Sequence, residues 1–334
     1  MEFGSEGEKQ GLIQTMDEFE RHLIDSGMAD YEYVKYRRFT LKNQCQNDLD
    51  IYHQEHPETS AQAFIASGRP RFNRAALAAM PIEEGRRGSL RMEKKGWEDK
   101  IEFRDDPQEF VVVYRTPVYG HRYVIGVDTS EGRIPEGCRH PDASVLIVLD
   151  KDEGGRQVAA LYGKDHMMNI SEENMCPYIN LLGRWYNNAY LVVEINWGGQ
   201  VIPSRLMGPE YKYPADRFFH IDDWKEGRSN RAAGFKTTVA TRNNLIADLA
   251  EFIQEREVIV HDRKTLEELN NFVWKDGGRV EAQKGFHDDH AFALGLAVQG
   301  IRHYPSFSIS DPVMMAKMAQ QREQRRKTVD PITG

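Results

Sequence analysis

The chain has 334 residues, of which 40% are hydrophobic and 10% aromatic, and carries a formal net charge of -8. That composition fits a folded chain with one large domain plus an appendage, or two small domains. With no apolar run near the ~18 residues of a membrane span, no secretory signal and no CxxC spacing among Cys45, Cys138 and Cys176, it argues against membrane, zinc-ribbon and disulfide-framework classes and suggests a reducing compartment.

In chain order, MEFGS resembles what cloning sites encode, so residues 1–9 are set aside as an expression remnant and disordered start of what is expected to be part of a larger protein. Residues 10–80 read as a helical segment. Ile13, Met16, Phe19 and Leu23 recur at helical spacing and Gly27 stops that helix; Tyr31, Val34, Leu41 and Cys45 carry a second, and Pro57, Gly68 and Pro70 mark a loop. Residues 81–120 mix charge, glycine and short apolar runs and read as a β-rich connector. From 121 to 304 the pattern is that of a main domain. YVIGVD, ASVLIVLD and RQVAALYG are strands, with Gly132, Pro135 and Gly137 in the first loop and Asp152-Glu153-Gly154-Gly155 as a hairpin turn. A helix over Glu172–Tyr186 leads to the strand YLVVEI, broken by Asn196-Trp197-Gly198-Gly199. A short helix follows near Val201–Leu206, then a strand over Asp216–Ile221, an amphipathic helix over Thr238–Gln254, the strand VIVH, a helix over Lys264–Phe272 and a last helix over His287–Arg302. Residues 305–334 form a basic, Gln-rich tail expected to be flexible. Hairpin order followed by strand–helix alternation predicts an α/β fold with a mixed β-sheet flanked by helices.

Three acidic positions stand where apolar runs stop: Asp128 after YVIGV, Glu194 after YLVV, and the Asp288-Asp289 pair opening the last helix. A carboxylate at a buried strand tip is costly unless compensated, and several that converge call for a divalent cation. Each has a plainer reading beside it. Asp128 suits a turn cap, Glu194 a structural ion pair with an arginine such as Arg184, and Asp288 the N-cap of the helix. His287 and His290 flank the pair three residues apart, as auxiliary candidates short of a zinc site. Lys236, ahead of the amphipathic helix, is a further auxiliary candidate for holding a phosphate or a water.

Absent motifs narrow the chemistry. No GxxxxGK[ST] is present, so no P-loop; no GxSxG or paired Cys–His signature suggests acyl transfer; no GxGxxG follows a strand. The acid excess counts against nucleic-acid binding, but Arg69–Arg74, Arg86–Arg91 and Arg322–Lys327 are locally basic.

Taken together, GVDTSEG followed by DASVLIVLD, then VVEINWGG, then GFHDDHAFALGLA resembles the nuclease domain of tailed-phage terminase large subunits. The stretch YHQEHPETSAQAFIASGRPRF is similar to the segment joining the motor to the nuclease in that family. The resemblance spans roughly residues 30–300. It implies a ribonuclease H-like fold with a helical N-terminal linker, and an endodeoxyribonuclease that cuts double-stranded DNA in viral genome packaging, without the ATPase motor. It implies two Mg²⁺ or Mn²⁺ ions held by Asp128, Glu194, Asp288 and Asp289. The portal protein and small terminase subunit would be partners, the host cytoplasm the location, with no membrane and with oligomers only through the motor. The alternatives are another ribonuclease H-like nuclease such as a Holliday-junction resolvase or an RNase H, a sugar-kinase or actin-like ATPase, and a noncatalytic DNA or portal docking module.

Overall fold

The computed structural model describes residues 3–305 except 46, 48, 50, 51, 54, 55, 57–68, 96, 97, 131–133, 135–137, 139, 140, 164–171, 197–200, 226, 227, 276–279 and 284. The Gly132, Pro135 and Gly137 loop, the Trp197-Gly198-Gly199 break, most of the joining segment and all but the first residue of the tail lie outside these. Two compact units emerge, residues 1–67 and 68–334.

The first unit is helical: α1 (Glu6–Gln14), α2 (Glu18–Asp25) and α3 (Tyr31–Asn43). The helix expected through Ile13, Met16, Phe19 and Leu23 is two helices. Asp17 intervenes as an N-cap, in a capping box with Glu20, and this satisfies amides that a continuous helix would not leave free. Glu20 is buried and held by Arg38 at 2.9 Å and Arg37 at 3.5 Å. Gly27, at φ +70°, ends α2 as expected.

The second unit opens with β1 (Arg69–Pro70) and α4 (Arg74–Ala78). The stretch read as a connector instead supplies β2 (Arg86–Lys95), β3 (Glu98–Asp105) and β4 (Val111–Val113) to the main sheet. The sheet continues through β5 (Tyr123–Asp128), β6 (Val145–Asp150) and β7 (Arg156–Leu161). After α5 (Glu172–Trp185) it ends with β8 (Tyr190–Val193). The order is β3-β2-β4-β7-β6-β5-β8, antiparallel throughout except for the parallel β5–β8 pair. The boundaries drawn at 80/81 and 120/121 therefore do not separate compact units: backbone hydrogen bonds run across both. Beyond β8 come α6 (Val201–Met207), the hairpin β9 (His220–Lys225) and β10 (Arg228–Ala233), α7 (Val239–Gln254), α8 (Arg263–Asn270), β11 (Phe272–Trp274), β12 (Val280–Ala282) and α9 (Asp289–Arg302). The strand expected over Asp216–Ile221 starts later, because Ala215–Arg217 forms a 3₁₀ turn. VIVH contributes a single bridge, from Ile259 to Arg156.

This is an α/β fold with a mixed seven-stranded sheet flanked by helices, as the element order predicted. Its central strands β5 and β6 are buried along their whole length because both faces are covered. On β5 and β6, Val124, Val145, Ile147 and Leu149 pack toward α7, α8 and α9, while Ile125, Val127, Leu146 and Val148 pack toward α5 and α6. The period of two therefore assigns Gly126 and Asp128 to the α9 face. Among the described residues no helix is long and apolar enough to cross a membrane.

Candidate metal centre

Parity and register bring the first two acids together. Val127 pairs with Val193 across the parallel β5–β8 ladder, and the Glu194 amide donates to the Val127 carbonyl at 3.0 Å. Asp128 and Glu194 are the next residues on each strand. Tyr190 and Val192 pack on the α9 face, so Glu194, two further on, shares it with Asp128.

The third element arrives by close packing. A Cβ on Gly126 would overlap the Ala293 carbonyl oxygen and the Ala297 amide nitrogen, so α9 lies directly on β5. That contact sets the first turn of α9, with Asp289, beside the ends of β5 and β8. A cavity of about 240 Å³ results, lined by Asp128, Thr129, Ser130, Asp142, Glu194, Thr237, Arg242, Asp288, Asp289 and Phe292. Five carboxyl groups thus face one guanidinium. A larger groove of about 520 Å³ beside α6 holds none of these acids.

Burial and mutual repulsion dominate the electrostatics. Asp128 is 8% exposed. Burial first, then the charges of Glu194, Asp289 and Asp288, push its carboxyl well above the usual range. Burial also raises Asp289, helped by Asp142 and Asp288 and opposed by the Ala143 amide, which donates to its Oδ2 at 2.8 Å. Asp142 is raised by burial, against a hydrogen bond from His287. Neither Asp128 nor Glu194 has an ion-pair partner among the described residues. Arg184, the partner considered for Glu194, instead binds Asn180 and the carbonyls of Tyr211 and Lys212. Asp288 is at the N-cap position of α9, yet its side chain bonds no helix amide; it pairs with Arg242 at 2.7 Å. The plain capping role is thus not the one it fills.

The auxiliary candidates separate. His287 lies ahead of α9, with Nδ1 at 3.1 Å from Asp142 and 3.8 Å from Asp289. Asp142, His287 and Asp289 each offer an atom within 4.8 Å of the others, a spacing one ion spans. His290, inside the helix, points elsewhere: its ring meets Asp262 at 3.3 Å and Tyr162 at a centroid distance of 4.8 Å. Lys236 is exposed and does not line the cavity. The donor set fits a hard divalent cation, because it is rich in carboxylate oxygen, partly buried and short of positive charge.

Solved structures similar to this chain include phage large terminase nucleases. The large terminase nuclease of thermophilic phage G20c with bound magnesium matches at 20% identity and TM-score 0.45, over 70% of this chain and 98% of that one. Its form with bound cobalt matches at 20% and 0.42, over the same shares. The large terminase nuclease domain of Thermus phage P74-26 matches at 18% and 0.43, over 70% and 98%. No family model matches the chain. At these values the functional reading stands on the geometry of the carboxylates.

Sequence reasoning passed over Asp142, Arg242 and Glu268. Asp142 is an ordinary loop acid in the sequence, and only the fold brings it to Asp289. Arg242 sits on the polar side of an amphipathic helix. Glu268 left a signal: it interrupts the buried stripe of Thr265, Leu266 and Leu269 on α8.

Proposed function

We propose that this chain is a divalent-metal-dependent endonuclease acting on double-stranded DNA in viral genome packaging. One observation carries the reading: carboxylates from two adjacent strand ends and one helix start converge in a single cavity with little compensating charge. A packed core gains nothing from such a cluster, whereas phosphodiester hydrolysis uses one.

Asp128, Glu194 and Asp289 would hold Mg²⁺ or Mn²⁺, with Asp288 and Asp142 completing a two-ion set. Bound there, such ions lower the pKa of a coordinated water and offset the negative charge that builds on the phosphate. The protein's own groups do the rest. Asp128, beside Glu194 and near Asp289 and Asp288, would contribute its carboxylate to the ligand set. Asn196 and Thr237 exchange two hydrogen bonds, at 2.7 and 2.9 Å, tying the loop before α7 to the end of β8 and setting the distance from Arg242 to Glu194. Arg242, paired with Asp288 on the cavity wall, would bring its guanidinium N–H groups to a phosphate bound there. His287 holds Asp142 by a hydrogen bond at 3.1 Å. The motif resemblance points to duplex DNA as substrate, to a portal protein and small terminase subunit as partners, and to the host cytoplasm as the setting.

Plasmid digestion with Mn²⁺, Mg²⁺ or EDTA, alongside Asp128→Ala, tests the chemistry. Cleavage that needs the ion and vanishes in the variant is expected; cleavage that survives in Asp128→Ala would sink the proposal. Linear duplex, four-way junction and RNA–DNA hybrid substrates then separate a packaging nuclease from a resolvase or an RNase H.

A further inference from the structure

Asp288 leaves its helix uncapped, yet the amides at the start of α9 do not lack an acceptor. Glu268, on α8, directs Oε2 at the Ala291 amide at 3.0 Å. With Asp288 as N-cap, His290 and Ala291 occupy the second and third helical positions, whose amides an Asp at that place ordinarily takes. The cap is supplied by a different helix.

The arrangement is expensive. Glu268 is 5% exposed, and its second oxygen, Oε1, has no hydrogen-bond partner among the described residues. A buried, half-satisfied carboxyl costs stability that an apolar side chain would not. The same short helix grips α9 a second time. Asp262, its N-cap, meets the His290 ring at 3.3 Å, so α9 is held at the His290 ring and at the Ala291 amide. Both grips fall within two residues of the paired aspartates, and neither residue lines the cavity.

We propose that Glu268 is a positioning residue: it caps α9 in place of Asp288, which leaves the Asp288 carboxylate to face the cavity beside Asp289. This rests on the nuclease reading of that cavity. Glu268 touches no substrate in this account; it acts through the helix start. An acceptor oxygen is what the role requires, and Gln supplies one of the same shape.

The test uses the full chain as Glu268→Gln and Glu268→Ala, with two readouts: amide hydrogen exchange, and kcat and KM for Mn²⁺-dependent cleavage of linear duplex. Glu268→Gln should keep slow exchange at Ala291 and a kcat within about threefold, while Glu268→Ala speeds exchange there and lowers kcat by roughly tenfold to a hundredfold at nearly constant KM. Unchanged exchange in the Ala variant overturns the proposal, as does a uniform rise across the domain. If the Ala variant does not fold, Glu268→Gln decides alone, and a large loss of kcat with exchange intact overturns the proposal by showing that the charge itself is needed. A wild-type chain that cleaves nothing sinks the nuclease reading instead, and the capping role then stands or falls on the exchange rates.

Discussion

Gly126 and Ala293 are in direct backbone contact: the space for a Cβ at Gly126 is taken by the Ala293 carbonyl oxygen. Gly126 lies two residues before Asp128, and Ala293 lies four after Asp289. This contact therefore fixes the separation between the strand that carries one acid and the helix that carries the other.

Gly126→Ala is expected to cost about 1–3 kcal/mol or more, toward the upper end because both atoms it would strike belong to the α9 backbone. Urea unfolding at fixed ionic strength measures that cost. Cleavage should fall further than stability accounts for, since lifting α9 moves Asp289 away from Asp128. A variant as stable and as active as the parent would show that the helix shifts freely and that the contact sets nothing.

The raised carboxyls make the metal-free protein sensitive to pH. Asp128, Asp289 and Glu268 are each held above their ordinary values, all by burial first and then by neighbouring negative charge. An acid whose folded pKa is raised binds its proton more tightly in the folded state. Its contribution to stability is thus full below the unfolded value of about 4 and is lost as pH rises through the folded value. The Tm of the metal-free chain should fall as pH is raised above about 4 toward neutrality, with saturating Mn²⁺ reversing the loss. Asp128→Asn should flatten the slope and remove most of the Mn²⁺ shift. A Tm that climbs over the same pH range would contradict the assignment of these groups as buried acids.

Arg242 pairs with Asp288 and stacks over Phe292 at 5.5 Å. Both partners of the ion pair are about a third exposed, so Arg242→Ala should cost less than about 1 kcal/mol in stability. Its effect on DNA should be larger. Losing one guanidinium–phosphate contact corresponds to about 1.5–3 kcal/mol, or roughly tenfold or more in KM by 1.4 kcal/mol per decade. Steady-state kinetics at several salt concentrations would record it, and an unaltered KM would remove Arg242 from the substrate path.

Asp262 is the anchor on the other side of α9. Its Oδ1 accepts from Tyr162 at 2.8 Å and Tyr114 at 3.2 Å, and its Oδ2 from the Thr265 amide and hydroxyl at 2.9 and 2.7 Å. Burial pushes its carboxyl up, but the bond and charge of His290 and the bonds from Thr265 prevail and hold it well below the usual range. Asp262→Asn puts an amide with one acceptor oxygen where a carboxylate takes hydrogen bonds from Tyr162, Tyr114 and Thr265, and should destabilise the unit by about 1–3 kcal/mol. Chemical denaturation with fluorescence at two wavelengths checks this; a loss under about 0.5 kcal/mol would mean that Asp262 does not anchor this side of α9.

Much of this protein is written locally. The continuous apolar runs YVIGV and YLVV could only be strands covered on both sides, and the acid that ends each run follows from where burial stops. Strand parity, a period of two, already implies that Asp128 shares a face with Gly126 and Glu194 with Val192. Glycine 126 also had a readable role, since only a residue without a side chain admits another backbone so closely.

What the chain order concealed depends on partners far apart in sequence. Asp142 and His287 are 145 positions apart, and Arg242 and Asp288 are 46 apart. No periodicity signals such pairs, because they form only when a loop, a helix start and a neighbouring helix are packed against one sheet edge. Residues 81–120 read as a separate connector because their strands are short or charged, yet backbone hydrogen bonding of β4 to β7 and of β2 to β4 draws β2–β4 into the sheet. Glu268 is the clearest instance. The plainer reading of the sequence offered the adjacent Asp288 as the cap of α9, whereas packing delivered an acceptor from another helix and left Asp288 to the cavity. Local sequence specifies which groups need a partner; the tertiary fold chooses among the partners, since the choice turns on distance in space and the burial of each group.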